Sequence, residues 1–273
     1  HEDRQGIVIG ATALQLAAAL DDLYASAYDS RLGASVDNGG SRFSVWAPTA
    51  KSVSLCLYLT PTGAVQRVER MQWDPSTGVW NAAIARNLRR WHYTYLVDVF
   101  VPGIGLVRNR VTDPYSVSLT TDSRRSYVAE LGDRSLQPRG WDVTPLPARV
   151  SAQTDMVIYE LHVRDFSIDD STVPLADRGK FRAFAQPRSN GMRHLKRLAA
   201  AGLTDVHLLP VFDLATIPER GCVTPAGSAF RQGPDSDGPQ AAITAAKDRD
   251  CYDGGYDPLH FTAPEGSYAT DAQ

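Results

Sequence analysis

Three groups of side chains in this sequence have types and spacings that chemistry can use. The first is Tyr252-Asp253-Gly254-Gly255-Tyr256-Asp257, where phenols and carboxylates flank glycines. From spacing alone it reads at least as readily as a turn with two tyrosines packed beneath it as a ligand-holding loop. The second is Glu160, His162, Arg164 and Asp165. Strand alternation sends the first three to one side, which favours an end-of-strand salt bridge over a reactive cluster. The third is the set of tryptophans at Trp46, Trp73, Trp80 and Trp91, which could form a platform, although aromatics at strand positions more often fill a core. His207, among leucines, reads as a packed, hydrogen-bonded histidine rather than a ligand, and His194 as a surface residue. The sequence has no H-E-x-x-H, G-x-S-x-G or phosphate loop, so metalloprotease, α/β-hydrolase and phosphate-loop chemistries lack support.

The elements that must position these groups can be read from hydrophobic patterning. Leu16, Leu20, Leu23 and Tyr24 recur at helical spacing from Thr12, and Asp29, Ser30 and Gly33 end the pattern. The apolar run from Gly6 to Leu20 is shorter than the roughly 20 residues a membrane-spanning helix needs, and no basic region precedes it. From Ser41 to about Val111 the chain reads as short strands. Phe43, Val45 and Ala47 alternate with Arg42, Ser44 and Trp46, and Val53, Leu55, Leu57 and Leu59 alternate with Ser52, Ser54, Cys56 and Tyr58. Further runs at Val65–Met71, Val79–Ile84 and His92–Val101 complete the pattern of an all-β, immunoglobulin-like sandwich of roughly 100 residues.

Breakers at Asp113-Pro114, Pro138, Gly140, Pro145 and Pro147 mark a connection, after which the pattern changes. Met156–Val163 is a near-continuous apolar run of the sort found in a parallel strand buried on both faces. Asn190 is placed to cap a helix running to Ala201, stopped by Gly202, and Asp205–Val211 gives a second buried strand. Strand, helix, strand in that order implies a right-handed parallel crossover. From Leu214 to Asp250 the sequence shows no persistent period. The expected organisation is a lead-in over residues 1–40, a sandwich over 41–142 and an α/β part over 143–273.

A formal net charge of -3 supplies no broad positive field, which argues against nucleic acid or an anionic membrane as partner and suits a neutral substrate. The cysteines Cys56, Cys222 and Cys251 form no C-x-x-C pair. Cys222 and Cys251 could pair in an oxidising compartment, but spacing alone favours free thiols. No cofactor motif is identified, calcium being the one ion left open.

Several segments, in order, resemble the pullulanase and limit-dextrinase type of starch-debranching enzyme, in the α-amylase superfamily (glycoside hydrolase family 13). Phe43–Tyr58 resembles the opening of the family's glycogen-binding-like β-sandwich, and Val111–Val128 the link out of it. Tyr159–Ser167 (YELHVRDFS) and Gly202–Ile217 resemble the first two strands of the catalytic TIM barrel. Cys251–Thr270 resembles the Tyr-Asn-Trp-Gly-Tyr-Asp-Pro loop and the Pro-Glu-Gly-Ser-Tyr-Ala-Thr that comes after it. Asp253-Gly254 stands where the family has Asn-Trp, so an indole expected at the cleft mouth is absent.

The resemblance implies a retaining α-1,6-glucan hydrolase acting on pullulan, amylopectin or limit dextrins. Tyr256 would stack on the sugar at the cleavage subsite, Asp257 would accept hydrogen bonds from its hydroxyls, and Tyr252 would form part of the subsite wall. It also implies a truncated chain. The retaining route needs two carboxyl groups roughly 5 Å apart. In the family these come from later barrel strands, and a whole barrel takes about 250 residues, so no catalytic residue is assigned here. The chain opens on His1 rather than Met, an expected sign of residues upstream. A non-catalytic carbohydrate-binding or scaffold protein, and a branching or isoamylase-type enzyme of the same superfamily, are the alternatives. The isolated chain is expected to release no reducing sugar from pullulan, which a reducing-end assay checks.

Overall fold

The computed structural model describes residues 16–37, 39–146, 150–225, 231, 233 and 235–272. The chain divides into two units, His1–Glu130 and Leu131–Gln273. The extended piece expected near Gly6 and the start of the first helix at Thr12 lie outside the described residues. Helix α1 (Ala17–Leu23) is the first described element, and a 3-10 turn over Ala25–Asp29 succeeds it.

Among the described residues the first unit then holds nine strands: β1 (Gly33–Asp37), β2 (Gly40–Trp46), β3 (Ala50–Tyr58), β4 (Arg67–Arg70), β5 (Gln72–Asp74), β6 (Val79–Ile84), β7 (His92–Val101), β8 (Gly105–Val111) and β9 (Ser126–Tyr127). They form two antiparallel sheets, one ordered β1-β2-β6-β5 and the other β4-β3-β7-β8, with β9 on β7. Alternation drives the assembly. Phe43 and Val45 of β2 meet Val53, Leu55 and Leu57 of β3 and Tyr93 and Tyr95 of β7 in one core, with the Phe43 and Tyr93 rings edge to face at 4.9 Å.

Two-period alternation fails at the end of β3. Cys56 and Tyr58, expected to face outward, are buried, and Leu59 is exposed. Over the Tyr58 ring lies the guanidinium of Arg125, 3.7 Å away, which also donates to the carbonyls of Thr60 and Gly63 at 2.7 and 2.8 Å. Of the tryptophans, Trp80 is in the core, Trp46 and Trp91 are half-buried, and Trp73 is exposed while stacked on Trp80.

Asp113, which the sequence marks only as a breaker, is fully buried. It accepts from the hydroxyls of Tyr93 (2.8 Å) and Tyr95 (3.2 Å) and from the amide of Tyr115 (2.9 Å). Burial, and then the Asp113 charge, push both phenols up, so each stays a donor. The network satisfies polar groups that a sandwich core could not otherwise hold.

In the second unit β10 (Ile158–Leu161) leads through 3-10 turns to α2 (Asn190–Ala200) and then β11 (Asp205–Leu208). The two strands pair in parallel, Ile158 opposite Asp205 and Leu161 opposite Leu208. Helix α2 is capped by Ser189, not Asn190; the Ser189 hydroxyl accepts the Met192 amide at 3.2 Å. It ends at Gly202, where the Leu203 amide returns to the Leu198 carbonyl at 3.0 Å. The strands are shorter than expected and not buried on both faces: Ile158 is 56 % and Val206 45 % exposed. Two strands cannot cover their own apolar faces, and no further strand pairs with them among the described residues.

Strands β12 (Phe212–Leu214) and β13 (Pro258–Pro264) make an antiparallel pair that patterning missed. Helix α3 (Gly238–Ala246) lies in the stretch read as periodless, because its alanine-rich turns carry little amphipathic signal, though a proline sits in its first turn.

Asp98 of β7 faces Arg108 of β8 across the ladder. The guanidinium donates to both carboxylate oxygens at 2.7 and 2.8 Å, and Ser52 adds a third bond. These hydrogen bonds, that of Arg108 foremost, lower the Asp98 carboxyl from 3.8 to about 2. A depressed native pKa stabilises the fold above the unfolded value and is lost as pH falls. The urea midpoint of the wild type should therefore drop between pH 3.8 and about 2 more steeply than that of Asp98→Asn, which starts lower at neutral pH.

Candidate functional site

A parallel pair places both carboxyl ends on one side, and the loop from Tyr252 to Asp257 is fastened to the residues just beyond them. His162, one residue beyond β10, is buried, and its Nε2 lies 2.8 Å from the Asp253 carbonyl and 3.1 Å from the Tyr268 hydroxyl. The Asp165 amide faces Nδ1 at 3.4 Å, which assigns the proton to Nε2, so that the imidazole donates to the loop carbonyl. On the β11 side Gly255 closes against Pro210. A Cβ there would stand 3.0 Å from the Pro210 carbonyl oxygen, and the residue's φ of +86° favours glycine as well.

The loop also closes on itself. Asp253 Oδ1 accepts the Gly255 amide at 2.6 Å, and the Thr216 hydroxyl lies between Asp253 Oδ2 at 3.2 Å and the Asp257 carboxylate. Asp257 Oδ1 is buried without a hydrogen-bond partner among the described residues. Tyr252 leans over the His162 ring at 5.4 Å, its own ring half in solvent. Tyr256 is 74 % exposed. A Cβ on Gly254 would lie in ordinary contact with that ring, 3.4 Å away, so a larger residue at 254 would cover what glycine leaves open.

The second charged group of the sequence splits apart. Arg164 pairs with Asp165 at 2.7 Å, as an end-of-strand salt bridge should. Glu160 instead meets His207 of β11 at 3.3 Å, directly opposite it in the register of the parallel pair. His207 is exposed rather than packed, because β11 lacks a cover on that face among the described residues. His194 is exposed, as expected, and meets the Tyr159 ring edge-on at 5.9 Å.

Beneath the loop lies a network that sequence reasoning missed. Asp213 of β12 and His260 of β13 are cross-strand neighbours, buried, with Oδ2 and Nδ1 2.6 Å apart. Glu265, also buried, accepts the amides of Leu214 at 2.8 Å and Ser267 at 2.7 Å. Burial raises its carboxyl, against those hydrogen bonds. Tyr268, bonded to His162, is likewise raised by burial and by Glu265.

Asp213, Glu219 and Glu265 each bring a ligand-type atom within 4.8 Å of the others. Such oxygens suit calcium or magnesium. Here, however, Glu265 already accepts two amides, Asp213 is engaged with His260, and Lys180 supplies a cation whose Nζ donates to the Ser267 carbonyl. Two of the three carboxylates, Asp213 and Glu265, are thus engaged in structural bonds. The signal for Glu265 was present in the Pro-Glu-Gly-Ser word; nothing local marked Asp213.

Cys222 and Cys251 form a disulfide, contrary to the expectation of free thiols, while Cys56 is free and buried. A parallel bridge between Val223 and Asp250 brings the two together across the long loop, a contact that spacing cannot reveal. Cys251 immediately precedes Tyr252, so the disulfide anchors the entry of the loop.

The comparisons with known proteins are consistent with this geometry. Residues 31–116 match the family model of carbohydrate-binding module 48 (isoamylase N-terminal domain). The chain is 38% identical to a pullulanase of Klebsiella pneumoniae and 37% identical to the chloroplastic pullulanase 1 of Arabidopsis thaliana, in each case over 98% of its own length and 28% of theirs. It thus spans under a third of these curated relatives. Among solved structures, the maltotriose complex of PulA from Klebsiella pneumoniae superposes with a TM-score of 0.85 at 37% identity, covering 99% of this chain and 33% of that one.

Closing a loop of this length, a sequence separation of 29, by a disulfide is worth about 3.6 kcal/mol on the chain-entropy model. Reduction, or Cys222→Ser with Cys251→Ser, should lower the thermal midpoint of the second unit and leave that of the sandwich unchanged, as calorimetry with and without reductant would show.

Proposed function

Because this chain belongs to the pullulanase-type debranching family and carries a carbohydrate-binding module 48 at residues 31–116, we propose that the protein of which it forms part hydrolyses α-1,6 branch linkages in α-glucans. The substrates are pullulan, amylopectin or limit dextrins, and the route is the retaining one, with the paired carboxylates outside the residues of this chain. The second unit is the opening of a TIM barrel. Its parallel strands β10 and β11, joined through α2, carry apolar residues still exposed, which further strands would cover.

One observation carries the reading. The loop from Tyr252 to Asp257 is fastened just beyond the carboxyl ends of the parallel pair, through His162 and Gly255, which is where barrel enzymes keep their sites. On it Tyr256 offers an open ring to the apolar face of a glucose unit. Asp257 is assigned to the sugar hydroxyls by the family resemblance; here one carboxylate oxygen holds Thr216 and the other is buried without a hydrogen-bond partner among the described residues. Tyr252, propped on His162, lines the wall. Those three side chains are the proposed substrate contacts.

An isoamylase-type reaction is the second reading, favoured by the description of the module family itself. Product analysis on pullulan with the longer protein separates the two, since scission of pullulan at α-1,6 linkages supports the first and an untouched polymer the second. In that protein Tyr256→Ala should lower kcat/KM on pullulan about tenfold, or about 1.4 kcal/mol, with the thermal midpoint unchanged because the ring is exposed. Unaltered kinetics would remove Tyr256 from the site.

A further inference from the structure

The first unit holds a cleft of its own. It has a volume of about 430 Å³, within the range of small-ligand sites, and is lined by Asp21, Tyr24, Tyr28, Ser30, Trp46 and Tyr115 among others. Its walls come from α1, the adjoining 3-10 turn, the end of β2 and the segment after β8.

The aromatic residues are held from behind. Trp46 donates its indole N–H to the Thr77 carbonyl at 3.1 Å, which ties down its edge. Tyr24 packs against Gly78, where a Cβ would stand 3.2 Å from the ring and 2.9 Å from Pro48, at a φ of +70°. The Ser26 hydroxyl donates to the Ser76 carbonyl at 2.9 Å and fastens the 3-10 turn to the turn between β5 and β6. The backbone of Tyr115 is fixed by the hydrogen bond its N–H donates to the buried Asp113 carboxylate, and burial raises its phenol, so it remains a donor. At the rim Tyr28 is 84 % exposed.

The composition selects a ligand class. Fixed aromatic rings offer apolar faces, while phenols, the Ser30 hydroxyl and the Asp21 carboxylate offer donors and acceptors around them. The named residues include no cation, which disfavours phosphates and carboxylates. A neutral ring with an apolar face and a rim of hydroxyls satisfies both halves, and a pyranose is such a ring.

We infer that this cleft binds glucosyl units of an α-linked glucan, and that it is a holding site built by the lead-in helix together with the sandwich. The inference rests on the debranching reading only for the choice of glucan among sugars. It gives the segment before the sandwich a role in the site, since Asp21, Tyr24 and Tyr28 precede the residues matched by the module family.

The test is titration of the 273-residue chain with maltoheptaose, read by tryptophan fluorescence and by calorimetry. A Tyr256→Ala background removes the proposed loop contact. Saturable binding should persist in that background, weaken about tenfold, or about 1.4 kcal/mol, on adding Tyr28→Ala, and weaken to a smaller extent with Asp21→Asn. Tyr28 is exposed, so its removal should leave the thermal midpoint unchanged; should it not, Asp21→Asn decides alone. Equal affinity with and without these changes overturns the cleft. Loss of all binding through Tyr256→Ala alone also overturns it, yet leaves the glucan reading intact. No binding by any variant, the wild type included, overturns it too, while pullulan hydrolysis by the longer protein judges the debranching reading independently.

Discussion

Parallel pairing of Ile158–Leu161 with Asp205–Leu208 is the constraint on which the second unit is built. Antiparallel strands can be joined by a tight turn, but parallel ones need a long crossover, and both then finish on the same side. His162 and Pro210 therefore stand together, and a loop arriving from far along the chain can be fastened to both. The hydrogen bond from His162 to the Asp253 carbonyl is the fastening on one side; the close approach of Gly255 to Pro210 is the fastening on the other. With the backbone held, the Tyr256 ring stands exposed, while the Asp257 carboxylate is bonded to Thr216.

Polar burial recurs in both units and serves the same purpose. In the sandwich, Asp113 gathers two phenols and an amide. In the second unit, Glu265 gathers two amides while Asp213 holds His260. A buried carboxylate is costly unless its oxygens are satisfied, and one that is satisfied fixes the geometry of every group that donates to it. Each network thus orders a segment that lacks regular structure: the chain after β8 in one case, the turn over Gly266–Tyr268 in the other. Tyr268 links its network to the loop through His162, so the core beneath and the loop above share one set of bonds. Among the described residues no helix is long and apolar enough to cross a membrane.

Features that depend on neighbours along the chain were legible in the residues alone. The bounds of β6 and β7 coincide with the runs read from patterning, Val79–Ile84 and His92–Val101, because a strand's side-chain period is local. The helix before β11 and its stop at Gly202 were legible for the same reason. The family was legible because its words occur in order.

Features that depend on residues far apart were settled by folding. Cys222 meets Cys251 because a bridge between Val223 and Asp250 brings them together. His162 is buried by a loop 91 residues away, whereas His207, similar in its local setting, is left exposed. Cys56 and Tyr58 are buried against the alternation, with Arg125 over the Tyr58 ring, and Asp21 is brought near Tyr115 only by the folding of α1 onto the sandwich. Periodicity states which side of an element is apolar; what comes to lie against that side is set by long-range contacts, which no window of sequence contains.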